Sequence, residues 1–458
     1  MSVKLLKPME YKRHNKNVPY TDLASYVSQG RSEMPQPERR SQGSFVLVKK
    51  IMAFVCVFCL LFFLSPLLNG AAGADHITLT WEGDPQTTQT ITWRTEVSET
   101  EGAIQFAETQ MYQRKAALIA AEVEPLFTNT GSMNIYSATL TGLKPGTGYS
   151  YQVRTGNGWS EVHSFFTAPL KAAKFKFLVF GDSQSVNYQT WGATLHQAYQ
   201  ANPEAAFFVN MGDLVDMGQD YAHWDMWFEE AQGVIDHIPV IPVTGNHETY
   251  TPERKFSRPV FFTAQFKVPL NGPDHLKRQV YSFDYGEAHF VVLDSQAGEQ
   301  AQFLPTMLEE EREWLEQDLQ STDRKWKVVF CHRPFYPNKA NEGNRIKNAF
   351  VPVFDRYHVD AVFTAHEHAY ARTYPLYNDR QAEGPAGTVY VATGRSGTKT
   401  YQDTERNQWN TFFYNPLDEP NYLVIEVEGD LLRVKVYKQN GEVIDDWFVE
   451  KPAGLYKK

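Results

Sequence analysis

With 458 residues the chain is too long for one typical domain and implies two or three. Hydrophobic residues make up 42% and aromatics 14%, so a large packed core is available. A formal net charge of −10 argues against nonspecific nucleic-acid binding through a basic surface, and only three cysteines leave no readable disulfide framework.

Residues 1–50 are polar and rich in lysine and arginine, with Pro19, Pro35 and Pro37 and no sustained periodicity, and read as a disordered basic tail. Ile51 to Leu68 follows as an apolar run without charge, near the minimum for a membrane span, in a targeting segment of about residues 51–70. Positive charge in front of it predicts that the tail stays cytoplasmic and the rest is exported. Two fates are open. The run is a signal anchor, giving a membrane protein with the N-terminus inside, or a signal peptide cleaved near Ala74 in the small-residue stretch Ala71-Ala72-Gly73-Ala74. Met34 and Met52 are alternative starts. Cys56 and Cys59 read as plain apolar residues of the run.

Residues 75–170 carry strand periodicity. Ile77, Leu79 and Trp81 alternate with polar residues, as do Ile91 and Trp93, and Tyr136, Ala138 and Leu140. Leu143-x-Pro145-x-Thr147-x-Tyr149 resembles the E–F corner of fibronectin type III domains, where a tyrosine hydroxyl ties back to backbone. The segment is predicted to be a structural all-β sandwich, with a binding module as the alternative, ending near Pro169.

Residues 174–452 alternate strand and helix patterns, which predicts an α/β fold with a layered sheet. Strands are expected at 174–180, 205–210, 238–243, 327–331 and 361–364. Helices are expected at 188–200, 220–232 and 308–319, a hairpin at 281–293, and a closing antiparallel run from 422 to 448. Glu309, Glu310, Glu311 and Glu313 read as the solvated face of the last helix.

Five polar blocks follow these apolar strands: Gly181-Asp182, Gly212-Asp213, Gly245-Asn246-His247-Glu248, Cys331-His332 and Ala365-His366-Glu367-His368. In layered α/β folds ligands gather at that edge. Asp, Asn and His are hard or borderline donors and no block offers a ligand thiolate, a mix that suits a pair of first-row metal ions. Paired metals are a standard device for splitting phosphate esters. The competing reading is a set of capping Asp and Asn residues with core histidines. Cys331 reads as strand packing, and His223, His237, His275, His289 and His358 as structural or exposed.

The ordered set of two GD blocks, GNHE, a strand ending in His, and H-x-H resembles the metallophosphoesterase (calcineurin-like) superfamily. With the sandwich in front and His366-x-His368-x-Tyr370-x-Arg372, it resembles the purple acid phosphatase branch. The resemblance implies a four-layer α/β/β/α sandwich at 174–452 behind a fibronectin III-like domain. It implies two metal ions, iron, zinc or manganese, with Asp213 bridging. Asp182 and His368 would complete the first metal's set, and Asn246, His332 and His366 the second's. His247 would act beside the phosphate, with Asn246 and His247 meeting substrate. The implied reaction is monoester hydrolysis by metal-bound hydroxide, as in acid phosphatases. The alternatives are a phosphodiesterase or nucleotidase on the same metals, or a cell-surface binding protein with an inert second domain.

Where the purple enzymes place a metal-bound tyrosinate, three residues after the bridging Asp, this chain has Asp216. Where other members place a His two residues after the first Asp, it has Gln184. Either residue is a further candidate ligand. The Gly394-Arg395-Ser396-Gly397 turn is a candidate substrate loop, with Arg395 meeting phosphate.

Overall fold

The structure, a computed structural model, describes residues 73–156, 158–339 and 345–451. The basic tail and the apolar run 51–68 lie outside the described residues. Among the described residues no helix is long and apolar enough to cross a membrane.

Two sheets stacked face to face form the body. The first runs, in spatial order, Val240–Pro242, Phe208–Asn210, Lys174–Phe180, Asn421–Glu428, Leu431–Lys438 and Val443–Glu450. The second runs Tyr281–Tyr285, Ala288–Leu293, Trp326–Cys331, Ala361–Thr364, Val389–Thr393, Tyr370–Thr373 and Asn410–Tyr414. The central strands are buried on both faces because both faces are covered, while Leu431–Lys438 and Val443–Glu450 alternate buried and less buried residues. Phe177 and Val179 enter the core between the sheets, with Phe290, Val292, Val328 and Phe330. Their neighbours Leu178 and Phe180 point the other way, under the helices Gln189–Ala201 and Tyr221–Ala231. Val291, Leu293, Val329 and Cys331 likewise face the helices Met307–Ser321 and Arg345–Tyr357. The result is the expected four layers, α/β/β/α.

Glu311 corrects one expectation. The buried stripe of its helix is Met307, Glu311, Leu315 and Leu319, one residue per turn, so Glu311 is on the inner face. Its carboxylate accepts the Asp294 N–H at 2.8 Å. The helix Arg345–Tyr357 was not among the predicted elements; Pro352 lies within it.

The leading sandwich pairs the sheet of Asp75–Thr80, Gln89–Glu96, Gly131–Leu140 and Glu122–Thr128 with one built on Ala117–Ala120, Ala103–Glu108 and Gly148–Thr155. Ile77, Leu79, Ile91, Trp93, Tyr136, Tyr151 and Phe165 fill it. The Tyr149 hydroxyl accepts the Lys144 backbone N–H at 2.9 Å, the expected tie at the corner. The sandwich is seated on the body. Trp81 packs against Phe207, Phe283 and Tyr285 in the inter-sheet core, and Leu79 N–H donates to Ile235 O at 2.9 Å.

Candidate metal centre

The carboxyl ends of the parallel strands lie level. Phe180 pairs with Asn210 and Asn210 with Pro242, so the turns after these strands open on one rim. The second sheet contributes Cys331 and Thr364, also at the ends of parallel strands. The rim brings together Asp182, Asp213, Asn246, His332, His366 and His368. His332 Nε2 is 3.3 Å from Asp213 Oδ2, 3.3 Å from Asn246 Oδ1 and 3.2 Å from His366 Nδ1. His368 Nε2 is 3.4 Å from Asp182 Oδ1.

Each donor is fixed on its far side. His332 Nδ1 donates to Met211 O at 2.8 Å and His368 Nδ1 to Lys399 O at 2.7 Å, which turns both Nε2 atoms inward. Asp182 Oδ2 accepts the His366 N–H at 2.9 Å, and Asp213 Oδ1 the His247 N–H at 2.8 Å. Asp182 Oδ1 is left buried without a hydrogen-bond partner. A buried carboxylate oxygen with no donor is costly unless a cation meets it.

The electrostatics agree. Burial alone would lower the His332 imidazole, but Asp213, with Asp182 behind it, outweighs burial and raises it to about 9. Burial would raise Asp213, yet His332, His247 and His366 hold it well below the carboxylate range. The rim therefore favours positive charge. Asp213, His332 and His366 offer donor atoms within 4.8 Å of one another. The residues fit a pair of cations with oxygen and imidazole ligands.

The backbone is bent to achieve this. Asp213, His366 and His368 have φ of 49°, 68° and 56°, the left-handed region that costs a non-glycine residue free energy. Gly212 has φ 90°, and a Cβ there would lie 2.6 Å from His332 Nδ1 and 2.9 Å from Gly245. Glu248, fully buried, ties two turns together by accepting the N–H groups of Gly245, Asp213 and Leu214 at 2.7, 2.9 and 2.8 Å. Burial and the nearby Asp213 push its carboxyl up to about 8. Glu248 stands in the GNHE block, but its role as a staple shows only in three dimensions.

His247 is buried beside this group. Its Nδ1 is 2.6 Å from the Asp216 carbonyl, which can only accept, so the Nδ1 proton is there and Nε2 faces the rim. The Asp216 carboxylate lies 3.4 Å from His247 Nδ1 and 3.6 Å from Lys399 Nζ. Asp216 thus contacts His247 and Lys399 rather than the imidazoles of the centre. Gln184 does reach the centre: its Nε2 is 3.1 Å from Asp213 Oδ2 and 3.2 Å from His368 Nε2, while Oε1 accepts from Lys399. Ligation by Oε1 would need a half-turn of that amide.

Arg395 is buried, with Nε donating to Pro416 O at 2.9 Å and Nη1 to Gly397 O, so the guanidinium braces its own loop. A cation beside His247 is Lys399, which no sequence block marked. Its Nζ is 3.1 Å from His247 Nε2 and 3.0 Å from Gln184 Oε1. Tyr401 was missed too; its ring packs on His368 with centroids 4.4 Å apart. Both follow the Gly-rich turn by a few residues, and that turn was the available signal.

Comparison with known proteins places this geometry. The family described as purple acid phosphatase, N-terminal domain, matches residues 74–167, and calcineurin-like phosphoesterase matches residues 175–370. Acid phosphatase type 7 of Mus musculus is 26% identical over 440 residues, spanning 86% of this chain and 96% of the relative. Purple acid phosphatase 21 of Arabidopsis thaliana is 27% identical over 336 residues, spanning 72% and 70%. Among solved structures, purple acid phosphatase PPD1 from yellow lupin (Lupinus luteus) superposes with a TM-score of 0.68 at 18% identity, over 82% of this chain and 74% of that one. PhoD superposes with a TM-score of 0.60 at 14% identity, over 85% and 95%. Both share the fold.

Proposed function

We propose that this chain, a purple acid phosphatase-like metallophosphoesterase, hydrolyses phosphate monoesters at a two-metal centre and does so outside the cytoplasm. The observation that carries the reading is the inward-facing group at the rim, above all the buried, partnerless Oδ1 of Asp182 facing His368 Nε2. Asp182, Asp213 and His368 would hold one cation, and Asp213, Asn246, His332 and His366 the other. The two cations would supply a nucleophile from water at neutral pH and offset charge on the phosphate oxygens.

The chain's own residues do the rest. Lys399 Nζ, between His247 and Gln184, is placed to bind a phosphate oxygen, and Asn246 and His247 line the same space. His247 keeps its Nδ1 proton on Asp216 O and presents Nε2, the atom that would carry a proton to the leaving alkoxide. Asp216 supports that imidazole with its carboxylate, a role for the residue that stands where the purple enzymes have tyrosine. Export is inferred from the basic tail and the apolar run 51–68.

The test is metal content measured together with turnover of a monoester and a diester chromogenic substrate. About two metal ions per chain and faster monoester turnover are expected. A metal-loaded protein that prefers the diester would make it a phosphodiesterase, and one that cleaves neither would overturn the catalytic reading. Iron-loaded protein should lack a tyrosinate absorption band in the visible. A band that disappears in Tyr401→Phe would instead assign Tyr401 as a ligand.

A further inference from the structure

A second group of metal-binding side chains lies where the sandwich meets the body. His163 belongs to the sandwich strand His163–Phe166, and Asp236 and His237 to the turn after helix Tyr221–Ala231. His163 Nδ1 is 2.8 Å from Asp236 Oδ2, and His237 Nε2 is 3.8 Å from the same oxygen. The three donor atoms lie within 4.8 Å of one another. Ligands about 2.0–2.2 Å from a tetrahedral zinc ion stand roughly 3.3–3.5 Å apart, between the two separations seen here.

The donors are oriented from behind. His237 Nδ1 lies 3.2 Å from Ser164 O, and because a carbonyl only accepts, the proton is on Nδ1 and Nε2 carries a lone pair toward Asp236. Asp236 Oδ1 accepts the Gly233 N–H at 2.7 Å, which leaves Oδ2 for the group. The Tyr151 hydroxyl donates to Asp236 O at 2.8 Å, and its ring packs against His163. This is the outer support that ligating imidazoles and carboxylates show. His163 is within hydrogen-bond distance of Asp236 Oδ2, whereas the second imidazole, His237, faces the same oxygen from 3.8 Å, a gap that a shared cation would close. Asp236 is 5% exposed, His163 14% and His237 32%, so one side is open for an ion and its remaining ligands.

We propose that His163, Asp236 and His237 bind a borderline divalent cation of the zinc class, which clips the sandwich to the body. Two imidazoles and one carboxylate select zinc, nickel or copper over magnesium or calcium. The clip joins a surface already sewn by Leu79 N–H to Ile235 O and by Gln232 Nε2 to Ile77 O.

The experiment uses the full chain with its rim metals loaded. Zinc chloride is titrated into wild type, His237→Gln and the double variant His163→Gln/His237→Gln, with bound zinc counted by elemental analysis and unfolding followed by heat. Wild type should take one more equivalent of zinc than either variant, and added zinc should raise its melting temperature while leaving theirs unchanged. Magnesium chloride should do neither, and monoester turnover should be equal in all three. Asp213→Asn should still take the junction equivalent, which separates this site from the rim. His237→Gln keeps the His163–Asp236 pair, so it remains informative where the double variant does not fold. Equal zinc content in wild type and His237→Gln would overturn the proposal and leave an ion pair.

Discussion

The rim group and the junction group use the same side chains on different backbones. At the rim Asp213, His366 and His368 sit in the left-handed region, and Gly212 and Gly245 allow an approach that any Cβ would block. At the junction His163, Asp236 and His237 all keep ordinary backbone. Left-handed non-glycine residues cost roughly 1–3 kcal/mol each, so the surrounding fold holds the rim against local preference. That is expected where geometry serves a reaction. The junction residues stay where a strand and a turn naturally put them, as suits a group whose effect is cohesion.

The sharpest way to break this contrast is Asp213→Asn. It keeps shape and removes the charge that faces His332, so rim metals and monoester turnover should be lost together while the fold and the junction zinc remain. Elemental analysis, turnover and a thermal melt on one preparation decide it. Full rim metal with full turnover would remove Asp213 from its assigned place. A smaller effect is expected from His247→Ala, which should keep the rim metals and slow turnover by roughly 10²–10⁴, the usual scale for a general acid or base. An unchanged rate at full metal content would show that the Nε2 facing Lys399 carries no proton in the reaction.

Most of the rim was legible because its residues are local in sequence: each follows an apolar strand directly, and the strand's own pattern says where it ends. The layered α/β fold was legible from the alternation of strand and helix patterns, and its four layers followed from the family resemblance. Lys399, Tyr401 and the stapling role of Glu248 were not, because they depend on how turns fold back rather than on any period. The loop contacts of Arg395 were not legible either, since a glycine-flanked arginine looks the same in sequence whether it meets a phosphate or its own carbonyls. His237 was read as structural or exposed, and its nearness to His163 could not be seen in the sequence because it arises where sandwich and body meet. Glu311 shows the opposite failure, as its place on the helix stripe was readable and its charge obscured it.

A third histidine provides the control for the junction. His289 lies between two carboxylates, with Nδ1 2.7 Å from Asp284 Oδ1 and Nε2 2.8 Å from Asp318 Oδ2. Both ring nitrogens donate, so this is an imidazolium held by ion pairs, with no lone pair left for a metal. Arg324 binds the far oxygen of Asp284 and Ser282 that of Asp318. Burial would lower His289, but Asp284 and Asp318 outweigh it and raise it to about 9. A folded pKa above the unfolded value of about 6.5 gives stability that is complete below pH 6.5 and lost as pH rises through 9. Asp284, held below its usual range by His289 and Arg324 against burial, closes the window on the acid side. His289→Gln should therefore unfold more easily at pH 6, by about 1–3 kcal/mol, with the gap to wild type closing toward pH 9 and above. Urea unfolding at pH 6, 7.5 and 9 measures it. A gap that does not change with pH would mean that His289 acts through packing alone, and the contrast between a charged His–Asp clasp and the lone pair of His237 would lose its reference.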